Sequence, residues 1–319
     1  MSPMGTVHFA HPAYQLAAAF AKRGADHPHF QTWTPEDTEA RLEEADVLVA
    51  SGFWRNEWLA RATKLQYIHV CAAGYDNYDL QALEARGVRL ANSSGVNVNA
   101  VSDHAMALLL TLTRQVHLAR DRQAKGQWRG MISEIDQREE ELAGKTLVIY
   151  GLGGIGGRLA RLASAFGMRV IGIRRSAGAP PEGVAEVRTP GDFPALLAEA
   201  DAVALTYPLT EETRGLINAE TIALMKPSAY LLNMARGPVV DEAPLVEALA
   251  SGRIAGAGLD VFDPEPLPES SALWGLENAV ITPHSGGETR RYEENVIDFL
   301  VENLARLARG EGQLVNQIV

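Results

Sequence analysis

Three things are scarce in this sequence, and each scarcity closes off a class of reading. Among 319 residues there is one cysteine, Cys71. No disulfide can form within the chain and no cysteine-based metal site can be built, and no metal cofactor is expected. Cys71 lies in the apolar run Ile68-His69-Val70-Cys71 and reads as a small buried hydrophobe. Positive charge is in deficit: 29 Lys and Arg stand against 40 Asp and Glu, for a formal net charge of −11. A nucleic-acid partner, which needs a basic surface, is therefore not expected. A small anionic substrate, which needs only one or two well-placed cations, stays open. Long hydrophobic runs are also missing. The longest, around Ala105-Met106-Ala107-Leu108-Leu109-Leu110, is interrupted by Thr111 and Thr113, short of the roughly 18 apolar residues of a membrane span. The opening MSPMGTVHFA has no basic stretch leading into an apolar one, so no signal peptide is expected and the chain reads as cytoplasmic.

What is present is ordinary for a folded protein: 46% hydrophobic and 22% charged residues, with length enough for two domains. Short apolar runs alternate with helical patterns, as in a parallel sheet covered on both faces. Val47–Ala50, Tyr67–Val70, Lys145–Tyr150, Val170–Ile173, Ala202–Leu205, Tyr230–Asn233, Ala255–Asp260 and Ala279–Ile281 are predicted strands. The periodicity predicts one long helix from Asn99 to Arg120 and a closing helix from Arg290 to Ala308. A polar segment, Arg122–Glu141, carries Trp128 and Met131, and Ala177–Gly183 is a Gly/Pro loop. No repeat of 20–50 residues is visible.

Gly151-Leu152-Gly153-Gly154-Ile155-Gly156 has the form G-x-G-x-x-G. The pattern alone is weak. Here it follows a predicted strand, opens a helix (Arg158 to Phe166), and precedes a second strand, which is the context of a dinucleotide-binding turn. Gly151 permits the tight turn, Gly153 the approach of a pyrophosphate, and Gly156 close helix–sheet packing. The N–H groups of the helix start would hold the phosphates. At the end of the second strand an acidic residue would favour NAD through the ribose 2′-hydroxyl. This chain instead has Arg174-Arg175-Ser176, suited to a 2′-phosphate. NADP(H) is expected over NAD(H), with NAD(H) use possible.

From about Leu65 to Gly287 the chain resembles the D-isomer specific 2-hydroxyacid dehydrogenases, which include glyoxylate/hydroxypyruvate reductases, phosphoglycerate dehydrogenases and D-lactate dehydrogenases. The resemblance rests on Cys71-Ala72-Ala73-Gly74-Tyr75-Asp76-Asn77, Val101 to Leu108, the glycine fingerprint, Leu232-Asn233-Met234-Ala235-Arg236-Gly237, Gly258 to Pro266, and Thr282-Pro283-His284-Ser285-Gly286-Gly287. It implies two doubly wound parallel α/β domains, a Rossmann nucleotide domain (99–284) inserted into a flavodoxin-like substrate domain (1–98 plus 285–319), with a catalytic cleft between them.

Carried onto these residues, the family chemistry makes Arg236 the anchor of a substrate carboxylate, His284 the proton donor to a carbonyl oxygen, and Glu265 the carboxylate that orients His284 and favours its imidazolium. Asp260 would hold the nicotinamide carboxamide, and Tyr207, Pro208, Thr213, Met234, Ala235, Gly286 and Gly287 would line the cofactor beside His284. Ala73 and Gly74 would offer backbone N–H groups to the carboxylate. Tyr75, Trp54 and Phe53 would narrow the pocket for a small 2-keto acid such as glyoxylate or hydroxypyruvate, unless Trp54 and Phe53 are core packing. A homodimer built on the long helix and the segment after it is implied, with Gly126–Met131 reaching toward the partner. Two positions depart from the family pattern: Asp103 replaces a usual glutamate, and Tyr207 replaces a smaller residue or histidine. Glu265 argues against formate dehydrogenase, which carries glutamine there. A phosphite dehydrogenase and a non-catalytic dinucleotide-sensing binding protein remain as alternatives. An L-specific dehydrogenase is disfavoured, because its fingerprint would lie at the N-terminus.

Overall fold

The computed structural model describes residues 5–24, 26–176 and 178–319. Met1–Met4, at the head of the segment read for a signal peptide, and Ala177, the first residue of the Gly/Pro loop, lie outside them. In chain order the strands are β1 (Val7–Ala10), β2 (His29–Thr32), β3 (Val47–Ala50), β4 (Tyr67–Val70), β5 (Arg89–Asn92), β6 (Thr146–Tyr150), β7 (Arg169–Ile173), β8 (Glu186–Arg188), β9 (Ala202–Leu205), β10 (Tyr230–Asn233), β11 (Gly256–Leu259) and β12 (Ala279–Ile281). The α-helices are α1 (Leu16–Lys22), α2 (Pro35–Ala40), α3 (Leu80–Arg86), α4 (Val98–Thr113), α5 (Val116–Ala124), α6 (Gly154–Ala165), α7 (Phe193–Glu199), α8 (Ala219–Leu224), α9 (Glu242–Ala250) and α10 (Tyr292–Ala308). No helix among the described residues is long and apolar enough to cross a membrane.

The chain divides into two compact units, Met1–Asn97 with Thr289–Val319, and Val98–Glu288. The first unit holds a five-stranded parallel sheet in the order β2-β1-β3-β4-β5, the flavodoxin-like order. Strand residues alternate between two apolar layers, as the two-residue period of a strand requires. Val7, Phe9, Val47, Val49 and Tyr67 pack with α1 and α10. Ala10, Leu48, Ala50, Ile68, Val70 and Leu90 pack on the other face with Trp58 and Leu83. The free edge of β5 is covered by the C-terminal tail, since Leu90 N–H donates to Val319 O and Ile318 N–H donates to Leu90 O.

The second unit holds a seven-stranded parallel sheet in the order β12-β11-β10-β9-β6-β7-β8. Read from β8, this is the Rossmann order, with the switch point between β6 and β9. Again both faces are dry: Val148 and Tyr150 of β6 enter one cluster, Leu147 and Ile149 the other.

Two expectations are corrected. The long helix breaks at Gln115, which adopts a left-handed backbone (φ 51). The apolar stripe of α4 ends at Leu112 and Thr113, and α5 buries no residue. The core therefore stops supporting a straight continuation, and Thr113 O is taken by the N–H of Glu140. Helix α6 starts at Gly154, four residues before the expected Arg158; the weak helix formers Gly154 and Gly156 pack there against Val98 and the Gly151 turn.

Candidate active site

The candidate cofactor-binding and catalytic residues of the second unit all follow the carboxyl ends of parallel strands. Open α/β sheets bind ligands at this edge. After β6, Gly151 has φ +108, and a Cβ there would meet Thr206 O at 2.8 Å. A Cβ on Gly156 would stand 2.0 Å from Gly151 O, so only glycine lets α6 start this close to the turn. A Cβ on Gly153 would meet nothing within 4 Å. The fingerprint thus has two packing glycines and one facing open space. The first N–H groups of α6 (Gly154, Ile155, Gly156) have no intrahelical acceptor and carry the positive end of a twelve-residue helix. These features fit a dinucleotide pyrophosphate.

After β7 stand Arg174, half-buried, and the exposed Arg175 and Ser176. Arg174 Nη2 donates to Ala179 O at 3.3 Å, and its Nε is buried without a hydrogen-bond partner among the described residues. A guanidinium with an unused buried N–H suits a further anionic acceptor.

After β10, Asn233 fixes its own turn: its Oδ1 accepts from Ala235 N–H and its Nδ2 donates to Arg236 O, both at 3.0 Å. The Arg236 guanidinium donates to Ala235 O at 2.7 Å. Met234 and Ala235 are buried. A Cβ on Gly237 would lie 2.0 Å from both the carbonyl carbon and the oxygen of Phe262. The arginine turn therefore rests directly on the backbone that leads into Glu265.

Glu265 bridges two partners. Its Oε1 accepts the Phe262 N–H at 2.9 Å, and its Oε2 lies 2.8 Å from His284 Nδ1. A carboxylate only accepts, so the Nδ1 proton points at Glu265 and Nε2 is the ring atom left for other chemistry. Nε2 has no partner among the described residues, and the side chain is 49% exposed. His284 has a left-handed backbone (φ 52), a conformation that costs a non-glycine residue about 1–3 kcal/mol unless its surroundings hold it. Asp260 supplies that hold. Its Oδ1 accepts from Thr282 Oγ1 (2.6 Å), Ser285 N–H (3.0 Å) and Gly286 N–H (3.2 Å), and its Oδ2 from Gly286 N–H (3.0 Å). His104 Nε2 reaches Thr282 Oγ1 at 2.9 Å.

The D-isomer specific 2-hydroxyacid dehydrogenase, NAD binding domain, matches residues 106–286 of this chain. The chain belongs to that dehydrogenase family. It is 39% identical over 289 residues to a glyoxylate reductase of Thermococcus litoralis, covering 88% of this chain and 86% of the relative. It is 38% identical to the glyoxylate/hydroxypyruvate reductase B of Serratia proteamaculans, covering 88% and 87%. The TT0316 protein of Thermus thermophilus superposes with a TM-score of 0.86 at 36% identity, covering 98% of this chain and all of that one. Family membership makes the chain an oxidoreductase built around a nicotinamide dinucleotide.

The remaining positions singled out in this dehydrogenase fall into two groups. Some brace rather than face outward. Tyr207 is buried against Tyr150 (ring centroids 4.5 Å apart), and its hydroxyl has no hydrogen-bond partner among the described residues. Thr213 stitches the exposed Pro208 turn, its Oγ1 accepting from Thr210 N–H at 2.7 Å and reaching Pro208 O at 3.1 Å. Trp54 is 4% exposed, stacks on Tyr78 at 5.8 Å, and donates its indole N–H to Asn56 Oδ1, a placement that favours core packing. Phe53 and Tyr75 pack half-buried against the same cluster. The others stay accessible: Ala73 is exposed, and Gly74 and Gly287 are half-buried. Asp103, the departure on α4, receives the Arg158 guanidinium, which also reaches Ser102 Oγ and Asn99 O. It therefore ties α4 to α6.

Asn233, Thr282 and His104 were not assigned roles from sequence, although all three lie inside the segments that carry the family resemblance. Their signal was a polar residue at a strand end or on an apolar helix face. Replacing Gly237 by alanine is expected to cost about 1–3 kcal/mol through overpacking and to lower kcat/KM as the Arg236 and Glu265 turns are pushed apart. Thermal unfolding and steady-state kinetics read both, and a wild-type midpoint would contradict the close approach.

Proposed function

We propose that this protein is an NADP(H)-preferring 2-keto acid reductase, equivalently a D-2-hydroxyacid dehydrogenase, acting on a small substrate such as glyoxylate or hydroxypyruvate. The observation that carries the reading is the Glu265–His284 pair at 2.8 Å, beside a turn that presents Arg236. In this reading the second unit binds the nucleotide and the first binds substrate. The bound nicotinamide supplies the hydride to the substrate carbonyl carbon. In the second unit Arg236 is the group for the substrate carboxylate; in the first unit the backbone N–H groups of Ala73 and Gly74 are suited to the same anion. His284 protonates the carbonyl oxygen from Nε2 while Glu265 keeps the imidazolium in place. Gly151, Gly153, Gly154, Ile155 and Gly156 hold the pyrophosphate. Asp260 retains a lone pair on Oδ2 for the carboxamide while it fixes the histidine turn. Names of relatives at 38–39% identity favour these substrates.

Arg174, Arg175 and Ser176 receive the 2′-phosphate, which supports NADP(H) over NAD(H). Fully exposed Trp128 and Met131, with Ile135 at 80%, support a homodimer in which the segment after α5 is covered by a second copy.

The test is a panel of 2-keto acids with NADPH and NADH, followed at the nicotinamide absorbance. Glyoxylate and hydroxypyruvate with NADPH should give the highest kcat/KM, and inactivity toward every 2-keto acid would defeat the reading. Arg174→Asp should shift the NADPH-to-NADH ratio of kcat/KM toward NADH by about 10- to 100-fold, the worth of a hydrogen bond to a charged group. An unmoved ratio would remove Arg174 from the 2′-phosphate site.

A further inference from the structure

Three consecutive features of the first unit converge on the turn after β4. Asn92, at the end of β5 and 4% exposed, donates from Nδ2 to Ala73 O at 2.6 Å. Ser93, fully buried, shares its N–H between Val70 O (2.9 Å) and Ala72 O (3.2 Å). The carbonyls of residues 70, 72 and 73 are therefore all tied to the same two residues. Asn92 is itself held: its Oδ1 accepts from Ser94 N–H at 3.1 Å, and its backbone N–H donates to Asn316 O of the C-terminal tail at 3.2 Å.

We propose that Asn92, seconded by Ser93, is the positioning residue of the Ala73–Gly74 anion cradle. The inference rests on the reading above that these N–H groups receive the substrate carboxylate. The reason is the planarity of the peptide unit. The Ala73 carbonyl and the Gly74 N–H belong to one trans peptide and point in opposite directions. Pinning the oxygen on Asn92 fixes the Gly74 N–H on the far side, and no acceptor among the described residues takes it. Without Asn92 that plane is free to rotate about the bonds flanking it, one of them at glycine, where rotation is least hindered.

A buried chain of hydrogen bonds stands behind Ser93. Asn303 of α10 donates to the Tyr67 hydroxyl (3.0 Å). The Tyr67 hydroxyl lies 2.6 Å from His69 Nδ1, and His69 Nε2 lies 2.9 Å from Ser93 Oγ. With the Tyr67 proton directed at Nδ1, the Nε2 proton goes to Ser93 Oγ, and the buried ring backs the Ser93 side chain. Burial pushes His69 down to about 3, which keeps the ring neutral and the chain intact at working pH.

The test uses the full-length enzyme with saturating NADPH and glyoxylate. Asn92→Asp keeps the shape but faces Ala73 O with a carboxylate. KM for glyoxylate should rise about tenfold, the worth of one lost hydrogen bond, with kcat and the Kd for NADPH changed less than about twofold. The defect should shrink between about pH 8 and about pH 6, as burial favours the protonated carboxyl, which can donate again. A general loss of packing would give no such recovery. If N92D lowers the thermal midpoint below the assay temperature, Asn92→Ser should raise KM equally and without pH recovery. Wild-type KM in either folded variant overturns the proposal. Gly74→Pro, which deletes the N–H itself, separates the two levels. A raised KM there with normal N92D and N92S removes only Asn92, whereas normal KM in G74P removes the cradle.

Discussion

His284→Asn is expected to lower kcat for keto acid reduction by about 10³-fold while leaving the Kd for NADPH within about twofold, as for loss of a general acid. The asparagine amide cannot supply a proton to a developing alkoxide, whereas the imidazolium can. Glu265→Gln should cost less, about 10- to 100-fold, for a definite reason. The glutamine oxygen can still accept the Phe262 N–H that Glu265 Oε1 takes at 2.9 Å. Its amide NH2 then faces His284 Nδ1, turns that atom into an acceptor, and disfavours the doubly protonated ring. A His284→Asn enzyme with near-wild-type kcat would show that another group delivers the proton, and an E265Q enzyme with wild-type kcat would show that Glu265 does not act through His284.

Acid should weaken the first unit well before its carboxylates titrate. His8 is fully buried, stacks on Phe30 with ring centroids 4.3 Å apart, and meets Thr32 Oγ1 at 2.7 Å. Burial, aided by the Arg41 guanidinium, pushes it down to about 4. His69, inside the buried chain, is pushed down to about 3. His11, whose Nδ1 accepts the N–H groups of Ala13 and Tyr14, is pushed down to about 4, mainly by burial. Above pH 6.5 these rings are neutral whether the unit is folded or not, and stability does not depend on them. As pH falls through 6.5, the unfolded chain binds protons that the folded unit refuses, so stability drops until the folded rings themselves titrate near pH 3–4. His8 and His69 should each withdraw about 2 kcal/mol by pH 5, at about 1.4 kcal/mol per pH unit. The unfolding midpoint of the first unit should therefore fall by several degrees between about pH 7.5 and about pH 5. His69→Gln should reduce that slope. A midpoint flat across this range would mean that the rings stay accessible to protons in the folded unit.

The family, the glycine turn and the candidate site residues were legible because each is local. Gly151 to Gly156 announce a turn within six residues, and the polar residues Arg236, Glu265 and His284 each sit in a short segment flanked by strand or turn signals. Several strands were not legible. β1 carries the polar His8 in a fully buried run, β2 and β5 mix polar with apolar residues, and β8 is a three-residue edge strand whose Glu186 pairs with Arg169 and Arg188. Their conformation comes from pairing with neighbours distant in sequence, to which a local window is blind. The break at Gln115 was hidden for the same reason. Its cause is the end of core contact along α4 and the arrival of Glu140, neither of which a periodicity records.

The sequence by itself determined the dinucleotide turn, the parallel α/β architecture and the candidates, Arg236, Glu265 and His284, proposed to hold a carboxylate or move a proton. Only the tertiary structure decided which groups orient them. Asp260 clamps the turn after His284, Gly237 seats the arginine turn on the Phe262 backbone, and Asn92 pins the Ala73 carbonyl. Hydrogen-bond direction and close backbone approach depend on ångström-scale geometry between segments far apart in the chain, and residue order along the chain does not encode that geometry in any local pattern.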